Sequence, residues 1–196
     1  MEEKKAQIHH FLNNQYFLQV KYILFFVILL FGFHYLYIFW ASNNFFPLAH
    51  LVDNLFKHAS SLLFNQSVWV LKNLFHINYT AESQTIYVVT KAGNWGYVDV
   101  SPGCTSLKQW MHWLFLMLFF PGPWRHKLWY IPFGIIIIHF VNLIRIVGLS
   151  LILVPWSEHF NFFHDYIFKT FFYFMIFIMW VSWVEFFLIK RTKSVS

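Results

Sequence analysis

Charge is scarce in this sequence: Asp, Glu, Lys and Arg make up only 11% of its 196 residues, against 59% hydrophobic ones. So little polar surface cannot cover a water-soluble globule of this length, and lipid is the expected solvent. Cysteine is scarcer still. The single Cys104 excludes a disulfide within the chain and any multi-cysteine zinc site, yet it can serve as a nucleophile. The scattered histidines lack a helical His-x-x-x-His spacing with a third ligand, so neither a metal nor another cofactor is expected. Acidic residues are also few, leaving a net charge of +6, but the Lys and Arg residues sit between apolar runs. They form no basic stripe, which argues against nucleic acid as a partner.

What is abundant is aromatic and aliphatic. Aromatic residues alone are 24% of the chain, enough burial to exclude disorder. About 20 apolar residues suffice to cross the hydrocarbon core as a helix, and four runs qualify as spans: 20–40, 104–120, 128–154 and 166–189. The first is long for the apolar core of a signal peptide, and Ala41-Ser42-Asn43-Asn44 is not the usual small-residue cleavage site. Pro121 to Lys127 and Pro155 to Asp165 carry helix-stopping residues and read as the breaks between the last three runs.

Lys and Arg sort the flanks. Lys4, Lys5 and Lys21 precede the first span, Arg125 and Lys127 lie between the second and third, and Lys190, Arg191 and Lys193 follow the fourth. The positive-inside rule then makes both termini cytoplasmic and places 41–103 outside an inner (plasma) membrane. Within that segment, His50 to Ile77 mixes apolar and polar residues at helical spacing, as an interfacial helix or a membrane hairpin would. Thr85 to Val89 and Tyr97 to Val100, flanking Lys91-Ala92-Gly93-Asn94, read as a small β-hairpin. The expected fold is an all-α polytopic membrane protein, a single domain over 1–196, with about four transmembrane helices plus that helix and hairpin.

Three polar features stand at the outer ends of the last three spans. In Ser101-Pro102-Gly103-Cys104-Thr105 the chain leaves a strand through Pro-Gly and starts a helix, whose dipole at Cys104 favours thiolate. In Asn142-Leu143-Ile144-Arg145 a spacing of three puts Asn142 and Arg145 on one face, with His139 one turn earlier. An arginine within a span costs ~2.5–3.5 kcal/mol at the bilayer centre, so it calls for a protein interior, a watery cavity or a snorkel to the headgroups. His164, in Phe163-His164-Asp165, would be wet enough to exchange a proton. A thiol, a guanidinium and an imidazole at one depth form a coherent acyl-transfer site: His164 helps generate the Cys104 thiolate, which attacks a carbonyl, and Arg145 stabilises the thiolate or the oxyanion. Asn142 and Asp165 stand beside them as supporting or substrate-binding groups.

These blocks, Pro-Gly-Cys-Thr-Ser, Asn-Leu-Ile-Arg-Ile and Phe-His-Asp, together resemble the exosortase/archaeosortase family of membrane cysteine proteases or transpeptidases. They cover roughly 98–173 in the family's order. The resemblance implies Cys104 as nucleophile, Arg145 as electrostatic stabiliser, His164 as acid/base and Asn142 as companion of the arginine motif. The family commonly has Gly two residues after the cysteine, where this chain has Ser106. The resemblance also implies the substrate: a membrane-anchored protein with a carboxy-terminal sorting signal of short motif, transmembrane helix and basic tail. Two other readings keep the topology and discard the chemistry, a transporter with a polar path along Arg145, His139 and Asn142, and a non-catalytic partner in polysaccharide or lipid export. Full function in Cys104→Ser would favour the former; harmless Cys104→Ala, Arg145→Ala and His164→Ala the latter.

Overall fold

The computed structural model describes residues 15–189. His9, His10 and the basic residues Lys4, Lys5, Lys190, Arg191 and Lys193 lie outside them.

Helix α1 (Gln15–Ser42) carries no formal charge after Lys21. Leu24, Ile28, Phe31 and Phe39 all point outward and are more than half exposed, the surface of a helix solvated by hydrocarbon. Its last carbonyls are satisfied locally: Ser42 Oγ and Asn43 Nδ2 both donate to the Phe39 carbonyl, at 2.8 and 2.7 Å. Helix α2 (Ala49–Asn73) has the opposite character. Val52, Ser60, Leu63, Ser67 and Leu71 form one buried stripe, while Asp53 and Lys57 pair in the open at 2.8 Å, where an ion pair contributes little.

A three-stranded antiparallel sheet follows, β1 (Tyr79–Glu82), β2 (Thr85–Val89) and β3 (Trp95–Asp99), in the order β1-β2-β3. The expected hairpin is thus one strand short, and its second strand starts at Trp95 instead of Tyr97. The added strand turns into β2 through Ser83 and Gln84, both at positive φ (49° and 68°), the handedness that matches strand twist in a two-residue loop. Ile86, Val88 and Val98 face the core. Gln84 fastens the sheet to α2: Ser60 Oγ donates to its Oε1 at 2.7 Å, and its Nε2 donates to Ser61 Oγ at 2.9 Å.

The second half is helical: α3 (Leu107–Phe119), α4 (Trp124–Trp156), a 3-10 turn (Ser157–His159), the single turn α5 (Phe160–Phe162), a π-helical stretch (Phe163–Phe168), α6 (Lys169–Trp183) and a second π-helical stretch (Val184–Ile189). Both expected breaks shift. Pro123 immediately precedes α4, where a missing N–H costs nothing, so Trp124 to Lys127 form the first helical turn and not a loop. Lys127 is buried there, its Nζ donating to the carbonyls of Phe120 at 2.6 Å and Leu118 at 3.3 Å. It caps the negative end of α3. At the other break Pro155 stays inside α4, and the backbone leaves the helix at Trp156 (φ −136°, ψ 51°).

Two stretches, Val20–Ser42 and Trp124–Ile189, are long and apolar enough to cross a bilayer. The second folds back on itself, because Tyr130 Oη donates to the Met179 carbonyl at 2.7 Å and Arg145 meets His164. Two cores result. One joins α1, α3, α4 and α6 around Trp113, Phe120, Tyr130, Trp180 and Trp183. The other joins α2, the sheet and the far half of α4 around Leu63, Leu71, Ile86, Val100 and Leu149. On α4 they change over between Val141 and Ile146, which is where Asn142 and Arg145 lie.

Candidate active site

Strand β3 ends at Asp99, and the chain reaches Cys104 through a 3-10 turn, Pro102–Cys104. Helix α3 starts only at Leu107, with Ser106 in the capping position. Cys104 therefore lies in the turn just before α3 and not in the first helical turn. Its half-buried sulfur donates to the Asp99 carbonyl at 3.4 Å and accepts from Ser101 Oγ at 3.6 Å.

The main chain of Cys104 is held from α4. The amide of Asn142, 1% exposed, donates from Nδ2 to the Cys104 carbonyl at 3.0 Å. One turn on, Arg145 Nη2 donates to His164 Nε2 at 2.8 Å, and His164 Nδ1 meets Asp165 Oδ1 at 2.8 Å. A guanidinium only donates, so Nε2 of the neutral imidazole must accept, which puts the ring proton on Nδ1, toward Asp165. Phe160 stacks on the ring at 5.9 Å and 17°. Arg145 Nε is buried without a partner, and a buried donor left unpaired costs ~1–3 kcal/mol.

The structure brings Arg145, His164 and Asp165 into one hydrogen-bonded chain and ties Cys104 to the same stripe of α4 through its backbone. The sulfur itself bonds neither Arg145 nor His164. A third rung of the stripe escaped the sequence reading: His139 Nε2 meets Gln66 Oε1 at 2.6 Å, joining α4 to α2 across 73 residues. His139 was visible at the right spacing, whereas nothing local singles out Gln66. Ser60 and Gln84, which anchor the strand leading to Cys104, were equally invisible. Among the described residues no three His, Cys, Asp or Glu side chains are grouped to hold a metal ion.

The Asn142 rung has a measurable consequence. Asn142→Leu leaves the Cys104 carbonyl without its donor, and a Cys104-dependent reaction is expected to slow by about tenfold, at 1–3 kcal/mol for a buried unpaired carbonyl. Membrane yield of the variant should match wild type on an immunoblot.

No curated protein and no solved structure matches this chain. A family model described as transmembrane exosortase (Exosortase_EpsH) matches residues 7–181. The match runs through both halves of the fold and includes every residue of the stripe and its partners. With that coverage, and with the outward apolar surface of α1, the chain belongs to the transmembrane exosortase family and is a membrane protein.

Proposed function

We propose that the protein is a cysteine peptidase or transpeptidase that cuts membrane-anchored proteins near a carboxy-terminal sorting signal, at the extracytoplasmic face of the membrane. The observation that carries this reading is the Asp165–His164–Arg145 chain beside a cysteine whose main chain is fixed to the same face of α4. Depth supports it. Arg145 lies 21 residues beyond Trp124, the start of α4, and at 1.5 Å per residue that is ~32 Å, about one hydrocarbon thickness. With the exposed Arg125 at the cytoplasmic interface, Arg145 and its partners reach the opposite one, and both termini lie in the cytoplasm.

In this mechanism the Cys104 proton passes to His164 Nε2, and Asp165 steadies the imidazolium through Nδ1–H. Arg145 first gives up its bond to Nε2. The thiolate adds to the scissile carbonyl carbon, and the freed guanidinium donates to the oxyanion. Collapse expels the amine, which takes the proton from His164, and leaves a thioester on Cys104. Water or a second amine then attacks that thioester and regenerates the thiol.

Co-expression with a tagged protein ending in a motif, a transmembrane helix and a basic tail tests the proposal. A size shift with wild type and an uncut precursor with Cys104→Ala are expected. Cleavage that persists in Cys104→Ala would sink it. Asp165→Asn should slow the same shift by roughly tenfold or more, because an amide stabilises imidazolium poorly; an unchanged rate would remove Asp165 from the mechanism.

A further inference from the structure

Among the described residues, edge strand β3 leaves its outward backbone unpaired except at the Asp99 carbonyl. In the β2–β3 ladder, Val100 N–H donates to the Gln84 carbonyl at 3.0 Å and Thr90 N–H to the Asn94 carbonyl at 2.9 Å. The register carries this phase inward to the pairs Ile86–Val98 and Val88–Gly96. Hydrogen-bonded and non-bonded pairs alternate in an antiparallel ladder, so Trp95, Tyr97 and Asp99 direct their N–H and C=O groups away from β2. Among the described residues no turn, loop or cap hydrogen bond reaches the Tyr97 N–H or C=O. Tyr97 and Trp95 are 64% and 60% exposed, so the rings beside this edge face outward. Among the described residues the outward group in use is the Asp99 carbonyl, and its donor is the Cys104 thiol.

We propose that an extended segment of the substrate pairs with β3 as a fourth strand, antiparallel to it, and that this pairing delivers the scissile bond to Cys104. The proposal rests on the peptidase reading and adds how the substrate is held. Backbone bonds to Tyr97 supply the grip, as in strand addition generally. Two residues on, a substrate N–H takes the Asp99 carbonyl from the thiol, which frees the sulfur for attack. The nucleophile is thus released by the strand it is to cut. The edge lies on the far side of the sheet from β1 and leads directly into the 3-10 turn holding Cys104, which makes it the edge in line with the chemistry.

The test uses the full-length protein in membranes and the probe acetyl-Val-Ala-Val-Ala chloromethyl ketone. The sulfur displaces chloride, a C–S bond replacing C–Cl, with the thiol proton leaving to His164. Two isomers carry one backbone N-methyl each, on the second or the third residue. Strand pairing has a period of two, so one isomer should alkylate Cys104 about tenfold more slowly and the other at the parent's rate. In Tyr97→Pro, which removes an outward N–H but no bond to β2, the parent peptide should react about tenfold more slowly. The carbonyls of residues 97 and 99 still accept substrate N–H groups, so the two isomers should still differ. The variant's iodoacetamide rate should equal wild type, which reports an intact site. Isomers that both match the parent, or both slow equally, overturn the proposal. A second measurement does not need a reactive thiol: benzoylphenylalanine in place of Trp95, in a Cys104→Ala background, should photocrosslink to the parent peptide and to only one isomer. Equal crosslinking to both isomers overturns strand pairing, whereas cleavage of the tagged substrate that persists in Cys104→Ala, with this alternation intact, sinks the peptidase reading and leaves strand pairing supported.

Discussion

Under the proposed mechanism, Arg145→Lys is expected to reduce substrate cleavage by roughly 10²- to 10³-fold, the usual cost of losing one donor to a developing oxyanion. Charge is retained in this variant, so the loss would fall on geometry. The guanidinium holds His164 through Nη2 while a second N–H, at Nε, stays buried and unpaired. An ammonium on a flexible stem cannot reproduce that fixed fork. Quantifying the precursor-to-product shift against time measures the effect, with the iodoacetamide rate at Cys104 as a control for folding. If Arg145→Lys cleaves at the wild-type rate, the guanidinium is a topological charge and the oxyanion has another donor.

Gly134→Ala is expected to have the largest effect on stability. A Cβ there would sit 2.2 Å from Trp113 Nε1 and 2.4 Å from its Cε2. The indole cannot retreat, since Trp113 is fully buried and donates from Nε1 to the Ile131 carbonyl at 3.2 Å. Overpacking of this kind costs ~1–3 kcal/mol, which for a chain of this size lowers the melting point by about 3–10 °C. Heating the detergent-solubilised protein in steps and following the surviving monodisperse peak measures it. Gly32→Ala is the comparison, because nothing lies within 4 Å of its Cβ, and Trp113→Phe should recover part of the Gly134→Ala loss by removing the colliding atoms. A Gly134→Ala variant as stable as Gly32→Ala would mean that α3 and α4 approach less closely than described.

Arg145 was legible because a charge in an apolar run is costly. His164 was legible only by its company with Cys104 and Arg145 at one depth, and Arg145 and His164 do meet. Cys104 was legible as a candidate, but its surroundings were not, because its sulfur answers to Asp99 and Ser101 through a turn that Pro-Gly could open in several ways. Boundaries set by proline were misjudged for a simple reason. Pro123 starts a helix as readily as it ends one, and Pro155 sits so near the end of α4 that its missing N–H disrupts little. Strand β1 is four residues long with one half-buried position, too short to show an alternation. Lys127 read as a loop charge, and only the fold shows its ammonium turned onto the end of α3. Gln66 and Gln84 matter through partners 73 and 24 residues distant, which no local pattern encodes.

The π-helical stretch Phe163–Phe168 contains the imidazole. A π turn accommodates one residue more than the α pitch allows, so excising a single residue there, such as Ile167, lets the segment relax to ordinary winding. The excised residue is the one the wider turn holds in excess, so His164 would keep roughly its bearing relative to α6. Such a shortened chain should insert and fold with its imidazole still on the Arg145 side. The same deletion in an ordinary α turn would rotate everything before it by about 100°, so this stretch is where the chain can change length and keep the Arg145–His164 contact.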